Sequence, residues 1–131
     1  MNSVLDRIRG TLETMCHDQT VPMEGVWYGA CKEKALTKWN YFVFNRSRTT
    51  KNGNTNKRDL QTFYYVHIIH EDYIPEGYVE SVVAALEAPD DSGTKLRITN
   101  EDILYDYVFK GSTNMVVEIA HIPIYHPEKR C

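Results

Sequence analysis

Apolar residues at Val4, Ile8, Leu12 and Met15 recur at i, i+4, i+8 and i+11, the spacing that lines one face of a helix over residues 3–15. Ser3 stands where its hydroxyl can cap the first turn, with Asp6 three residues on in the capping-box position. Gly10 weakens the middle of this helix slightly. A second stripe, Val79, Val82, Val83 and Leu86, opens after Pro75-Glu76-Gly77, runs to about residue 88 and stops at Pro89. Glu76 and Glu80 lie near its positive end. Residues 39–45 and 60–70 are dense in aromatic and β-branched side chains and read as strands. Residues 103–110 and 115–124 read as two more strands, joined by Gly111-Ser112-Thr113-Asn114, with Pro123 marking an edge or a strand end. Ile103, Tyr105, Tyr107 and Phe109 share one face of the first of them. Shorter extended pieces are expected around Val26-Trp27-Tyr28 and over residues 95–99. The order α-β-β-α-β-β predicts an α+β domain, an antiparallel sheet with two helices packed on one face.

The polar segment between the first two strands, residues 45–60, contains Asn52-Gly53, a strong signal for a type I′ hairpin turn. A turn there pairs Lys51 with Asn54, Arg46 with Asp59, Phe42 with Phe63 and Tyr41 with Tyr64. The result is a projecting hairpin arm, roughly 20 Å long at about 3.4 Å per residue. Two readings of the arm stand side by side: a mobile surface loop, and a basic finger that orders on a partner. The same register places Phe42, Phe44, Phe63, Tyr65 and Ile69 on one face, and Trp39, Tyr41, Val43, Leu60, Tyr64, Val66 and Ile68 on the other. Both faces are apolar, so both need cover. Two helices cover one, and a neighbouring subunit or loops must cover the second.

A chain of 131 residues corresponds to one domain, with residues 126–131 as a loose end. With 42% apolar and 25% charged residues, it is neither disordered, collagen-like nor a coiled coil. Its apolar runs are far too short for a membrane span, and its first residues lack the layout of a signal peptide. Synthesis as a soluble intracellular protein is expected. The net charge of -3 argues against a protein that wraps nucleic acid with its whole surface. Its distribution is uneven. Arg46, Arg48, Lys51, Lys57 and Arg58 form a run without an acidic residue, whereas residues 71–106 are rich in carboxylates. These five basic residues are the candidate partner-binding cluster.

No phosphate-binding glycine loop, HExxH or GxSxG is present. Cys16, Cys31 and Cys131 have no CxxC spacing, and Cys16-His17 with Cys31 matches no common zinc site. Reduced thiols are expected. His67, His70 and Glu71 could supply a base or ligands, with His121 or His126 as companions. On a strand, His67 and His70 point to opposite faces, and whether His67 meets His121 depends on strand order. Sheet-surface or interface histidines are the simpler reading. No catalytic residue, metal or cofactor is assigned. Phosphate contact by the arm, with Tyr41, Tyr64 or Tyr65 stacking on bases, gives a nucleic-acid-binding alternative.

The layout resembles the tail-terminator, or tail-completion, proteins of long-tailed bacteriophages and prophages. The resemblance rests on Trp39-Asn40-Tyr41-Phe42-Val43-Phe44, the arm through Asn52-Gly53, the tract from Phe63 to Asp72, the helix from Tyr78 to Leu86 and the closing strands from Ile103 to Ile124. It covers most of residues 1–125, and residues 21–38 depart from the family layout. Related neck proteins, such as head-completion and tube-joining subunits, share a similar size and architecture. The resemblance implies a structural virion protein without enzymatic activity, made in the host bacterial cytoplasm. It implies a ring homo-oligomer, a hexamer in this family, that caps the tail tube and faces the head–neck connector. The basic arm would then line the ring or reach a neighbouring subunit or the tube protein. Head-to-tail closure of such a ring fits opposite charges on different sides of one subunit.

Overall fold

A computed structural model of the chain describes residues 3–17, 20–32, 37–51, 60–89 and 95–127. The elements are α1 (Val4–Cys16), β1 (Val26–Tyr28), β2 (Tyr41–Lys51), β3 (Leu60–Glu71), α2 (Tyr78–Glu87), β4 (Arg97–Ile98), β5 (Leu104–Phe109) and β6 (Val116–Tyr125). The Ser3 hydroxyl accepts from the Asp6 amide at 3.0 Å and caps α1. Gly77, left-handed at φ 84°, turns the chain into α2, a conformation that only glycine adopts without strain.

The strands make one sheet in the order β1-β2-β3-β6-β4, with β5 also paired to β6. β4 meets the end of β6 at Ile124 and Tyr125, and β5 runs along its first half, so the two share one edge. All pairs are antiparallel except β1 with β2. The intervening residues 29–40 are long enough to return the chain to the same end of the sheet, as a parallel pair requires.

Both helices cover the same face. Ile8 and Leu12 from α1, and Val82 and Leu86 from α2, are fully buried with Phe42, Phe44, Val66, Ile68, Ala120, Ile122 and Ile124. Burial of this much apolar surface, at about 25 cal/mol per Å², is the main stabilising term. The stripes expected for both helices are the ones that pack. Val4, Met15 and Val83 lie at their margins, half-buried against the core.

The pairing of β2 with β3 differs from the one expected of an Asn52-Gly53 turn. Lys51 pairs with Leu60, Arg46 with Tyr64, Phe42 with Ile68 and Tyr41 with Ile69. Phe42 therefore meets Ile68, five residues further along β3 than Phe63. An odd shift inverts a strand. Tyr64, Val66 and Ile68 consequently join Phe42 and Phe44 under the helices, while Phe63, Tyr65 and Ile69 turn to the other face. Asn52-Gly53 itself lies outside the described residues.

The second apolar face is closed in part within the chain. Val43, Ile69 and Val117 are buried there, with Trp39, Tyr41 and Ile119 packed around them. Cover by a neighbour is therefore not needed at that end of the sheet. Phe42 touches both β3 and α2, its ring stacking on Tyr78 at 6.3 Å. Phe42→Ala is expected to cost about 3–5 kcal/mol in urea unfolding, with the slope of the transition unchanged.

Candidate functional site

Three features project from this frame: the end of the β2–β3 ladder, the hairpin made by β5 and β6, and a row of polar side chains across the open face. The ladder continues past the core to Lys51 and Leu60, with the Thr49 and Thr62 hydroxyls 2.9 Å apart. Ser47 is an extra residue in β2, because the pairing steps from Arg46–Tyr64 directly to Arg48–Phe63. This bulge divides the basic cluster. Arg46 stays on the helix-covered face beside Tyr64, whose phenol burial pushes up, with the Arg46 charge offsetting part of that rise. Arg48 moves to the open face. Its guanidinium stacks 4.2 Å from the centre of the Phe63 ring and meets Glu101 at 3.5 Å. The acidic tract thus reaches the basic end of the β2–β3 ladder instead of standing apart from it. Lys51 is exposed, and Lys57 and Arg58 lie outside the described residues.

The β5–β6 hairpin points toward the opposite end of β3. Every residue of β5 is exposed. Leu104, Tyr107 and Phe109 are each more than 60% exposed, and Tyr105 and Val108 more than 40%. Met115 and Val116 extend the apolar surface around the turn. Among the described residues, β5 pairs only with β6, so its outer edge offers unpaired backbone groups. Alternation along β5 is as expected: Tyr105, Tyr107 and Phe109 share one face, opposite Ala120, Glu118 and Val116. On that side a groove between β5 and α2 is lined by Glu76, Glu80, Glu87 and Glu118.

The base of the hairpin is pinned. Lys110 Nζ donates to Glu71 Oε2 at 2.5 Å and to the Thr37 carbonyl at 2.6 Å, and the same Glu71 oxygen accepts from the Trp39 amide at 2.7 Å. Burial pushes the Glu71 carboxyl up, but the Lys110 hydrogen bond, the Trp39 amide and the charges of Lys110 and Lys38 hold it below the usual carboxylate range.

The open face carries a second polar arrangement. His67 pairs directly with His121 across β3 and β6, and the ring planes meet nearly at right angles with Nδ1 atoms 2.7 Å apart. His67 Nε2 reaches Asn45 Oδ1 on β2 at 2.5 Å, and His121 Nε2 reaches Asp106 Oδ2 on β5 at 2.6 Å. Burial, and then the charge of His121, push His67 down to about 4. His70 points to the other face, as strand alternation requires, and its Nδ1 bonds the Glu71 carbonyl at 2.8 Å. Glu71, one of the candidate ligands in sequence, is bound to Lys110 instead. Cys16 is half-buried on α1, where burial, followed by the Glu13 charge, pushes its thiol up to about 11. Among the described residues, no group of three His, Cys, Asp or Glu side chains is placed to hold a metal ion. None of the described helices is long and apolar enough to cross a membrane.

No family model and no curated protein matches the sequence. Seven solved chains match, and one of them superposes with a TM-score of 0.51 at 11% identity, over 98% of this chain and 96% of that one. A likeness at that identity concerns the fold alone.

Because Glu71 titrates lower in the folded chain than in the unfolded one, its contribution is present at neutral pH and is lost as the pH falls through its folded value. Glu71→Gln is expected to cost about 1–3 kcal/mol at neutral pH. It should also flatten the acid limb of a stability-against-pH curve measured by urea unfolding.

Proposed function

We propose that the chain is a structural subunit that assembles with copies of itself into a ring of the bacteriophage tail-terminator type, placed in the virion between tail tube and neck. The observation that carries this reading is β5, a six-residue strand exposed at every position along a sheet edge. Proteins that stay monomeric blunt such edges with charge, proline or a covering loop. They also rarely expose contiguous apolar patches of this kind. Here Leu104, Tyr107, Val108 and Phe109 stand uncovered with Met115 and Val116 beside them.

Charge supports a head-to-tail arrangement. One end of the sheet extends into a basic ladder with Lys51 exposed. The groove beside β5 is lined by four glutamates. A neighbour whose arm approached that groove would meet the opposite charge, and repetition of a heterologous contact by rotation closes a ring. Arg46, Arg48, Lys51, Lys57 and Arg58 are the residues assigned to contact a neighbour, the tube protein or the neck connector. Arg48, already bound to Glu101, contributes through exchange of that surface pair, which is worth little by itself. Termination of the tube then needs no chemistry: the ring presents a surface to which no further tube subunit adds.

Light scattering across a concentration series, with negative-stain images of each oligomeric peak, tests this directly. Closed rings of a few subunits are expected. Leu104→Ser combined with Phe109→Ser changes only exposed side chains, so it should leave thermal unfolding nearly unchanged while abolishing the rings. A strict monomer that also failed to bind isolated tail tubes would overturn the reading. If that monomer bound DNA in a salt-dependent way, the arm would be a nucleic-acid contact instead.

A further inference from the structure

The row Asn45–His67–His121–Asp106 needs one more hydrogen than two neutral imidazoles carry. Asn45 Nδ2 donates to the Arg46 carbonyl at 2.9 Å, which fixes the amide so that Oδ1 faces His67. An amide oxygen only accepts, so His67 Nε2 carries a hydrogen. The Asp106 carboxylate likewise only accepts, so His121 Nε2 carries one as well. With both Nε2 atoms protonated, two neutral rings would direct bare Nδ1 lone pairs at each other across 2.7 Å. That contact is repulsive unless a positive centre lies between the two atoms.

We infer that one additional proton is held between His67 Nδ1 and His121 Nδ1, making the two histidines a singly charged pair that clasps the edge strand β5 to the sheet through Asp106. The separation fits a proton. Two nitrogens bound to one tetrahedral zinc at about 2.05 Å would stand roughly 3.3 Å apart. The proton resides on His121, which donates through Nε2 to Asp106 and through Nδ1 to His67. His67 is the neutral partner, consistent with the downward push that burial and the His121 charge exert on it. Asp106 supplies the balancing charge from β5, whose side chains otherwise bury almost nothing.

The surroundings leave the pair to titrate as a unit. From β2 it is faced by the uncharged Asn45, and from β3 by the Tyr65 ring, 5.6 Å from His67. From β5 it is faced by Asp106, with Leu104 opposite His121 in the ladder. The next charges on this face, Arg48 with Glu101 and Lys110 with Glu71, are already paired. The helices lie on the other face. When the proton leaves, the facing lone pairs drive the rings apart, and the tie to β5 loosens. The inference is independent of ring assembly, since it concerns one copy of the chain.

Histidine side-chain ¹⁵N NMR on the full chain, from about pH 8 to about pH 5, reads the proton positions directly. The pair is expected to take up a single proton. It should end with both nitrogens of His121 protonated and His67 protonated at Nε2 alone, and the amide signals of residues 104–109 should follow the same transition. In Asp106→Asn the pair should hold its proton less tightly, so that the transition moves to lower pH. Uptake of two protons in that range, uptake of none, or a proton resident on His67 would overturn the inference. So would β5 amides that ignore the transition, or a midpoint that Asp106→Asn leaves in place.

Discussion

Strand β3 is paired on both sides from Phe63 to Ile69, with β2 along one flank and β6 along the other. Its register decides which half of its side chains enters the helix-covered core and which half faces outward. In the observed register Val66 and Ile68 are fully buried under α1 and α2, and the pattern on β2 and β6 matches them rung by rung. A slip of one residue would place His67 and Ile69 beneath the helices and turn Val66 and Ile68 outward, so the buried apolar surface resists any slippage.

The rest of the molecule follows from that alignment. Because His67 faces away from the helices, it meets Asn45 on one side and His121 on the other, and the row continues to Asp106 on β5. Because Glu71 lies on the same open face at the end of β3, it receives Lys110 from the hairpin and the Trp39 amide from the approach to β2. The β5 strand and the turn after it are thus fastened to the sheet by polar contacts, while the apolar side chains of β5 remain outside. At the other end, the bulge at Ser47 changes the alternation of β2, leaving Arg46 on one face and Arg48 on the other. The two ends of one sheet consequently differ in character. One carries cations on a ladder that extends beyond the core, and the other carries uncovered aromatic and aliphatic residues.

The helices were legible from local signals, because a stripe at helical spacing, a serine cap and a stopping proline all act within a few residues. The strands were legible as strands for the same reason. Their partners were not. Both faces of β2 and β3 are apolar, so alternation gave no warning that the Asn52-Gly53 register put Tyr64, Val66 and Ile68 on the wrong side. A bulge made by Ser47, with neither glycine nor proline to mark it, had no local signature. The pairing of His67 with His121 requires β3 beside β6, a contact between residues far apart in sequence. The aromatic alternation of β5 reads alike whether the strand lies inside a sheet or along its edge, so the exposure that now carries the functional reading was visible only in the fold.

In the proposed assembly the outer edge of β5 is a docking edge for another copy of the chain. Backbone hydrogen exchange of residues 104–109, compared between dilute and concentrated protein, tests it most directly. The β5 amides pointing away from β6 should exchange freely in dilute solution and gain at least about tenfold protection as the chain assembles. Exchange at these amides that stayed fast while the mass of the particle rose would place the contact elsewhere and rule out β5 as the docking edge.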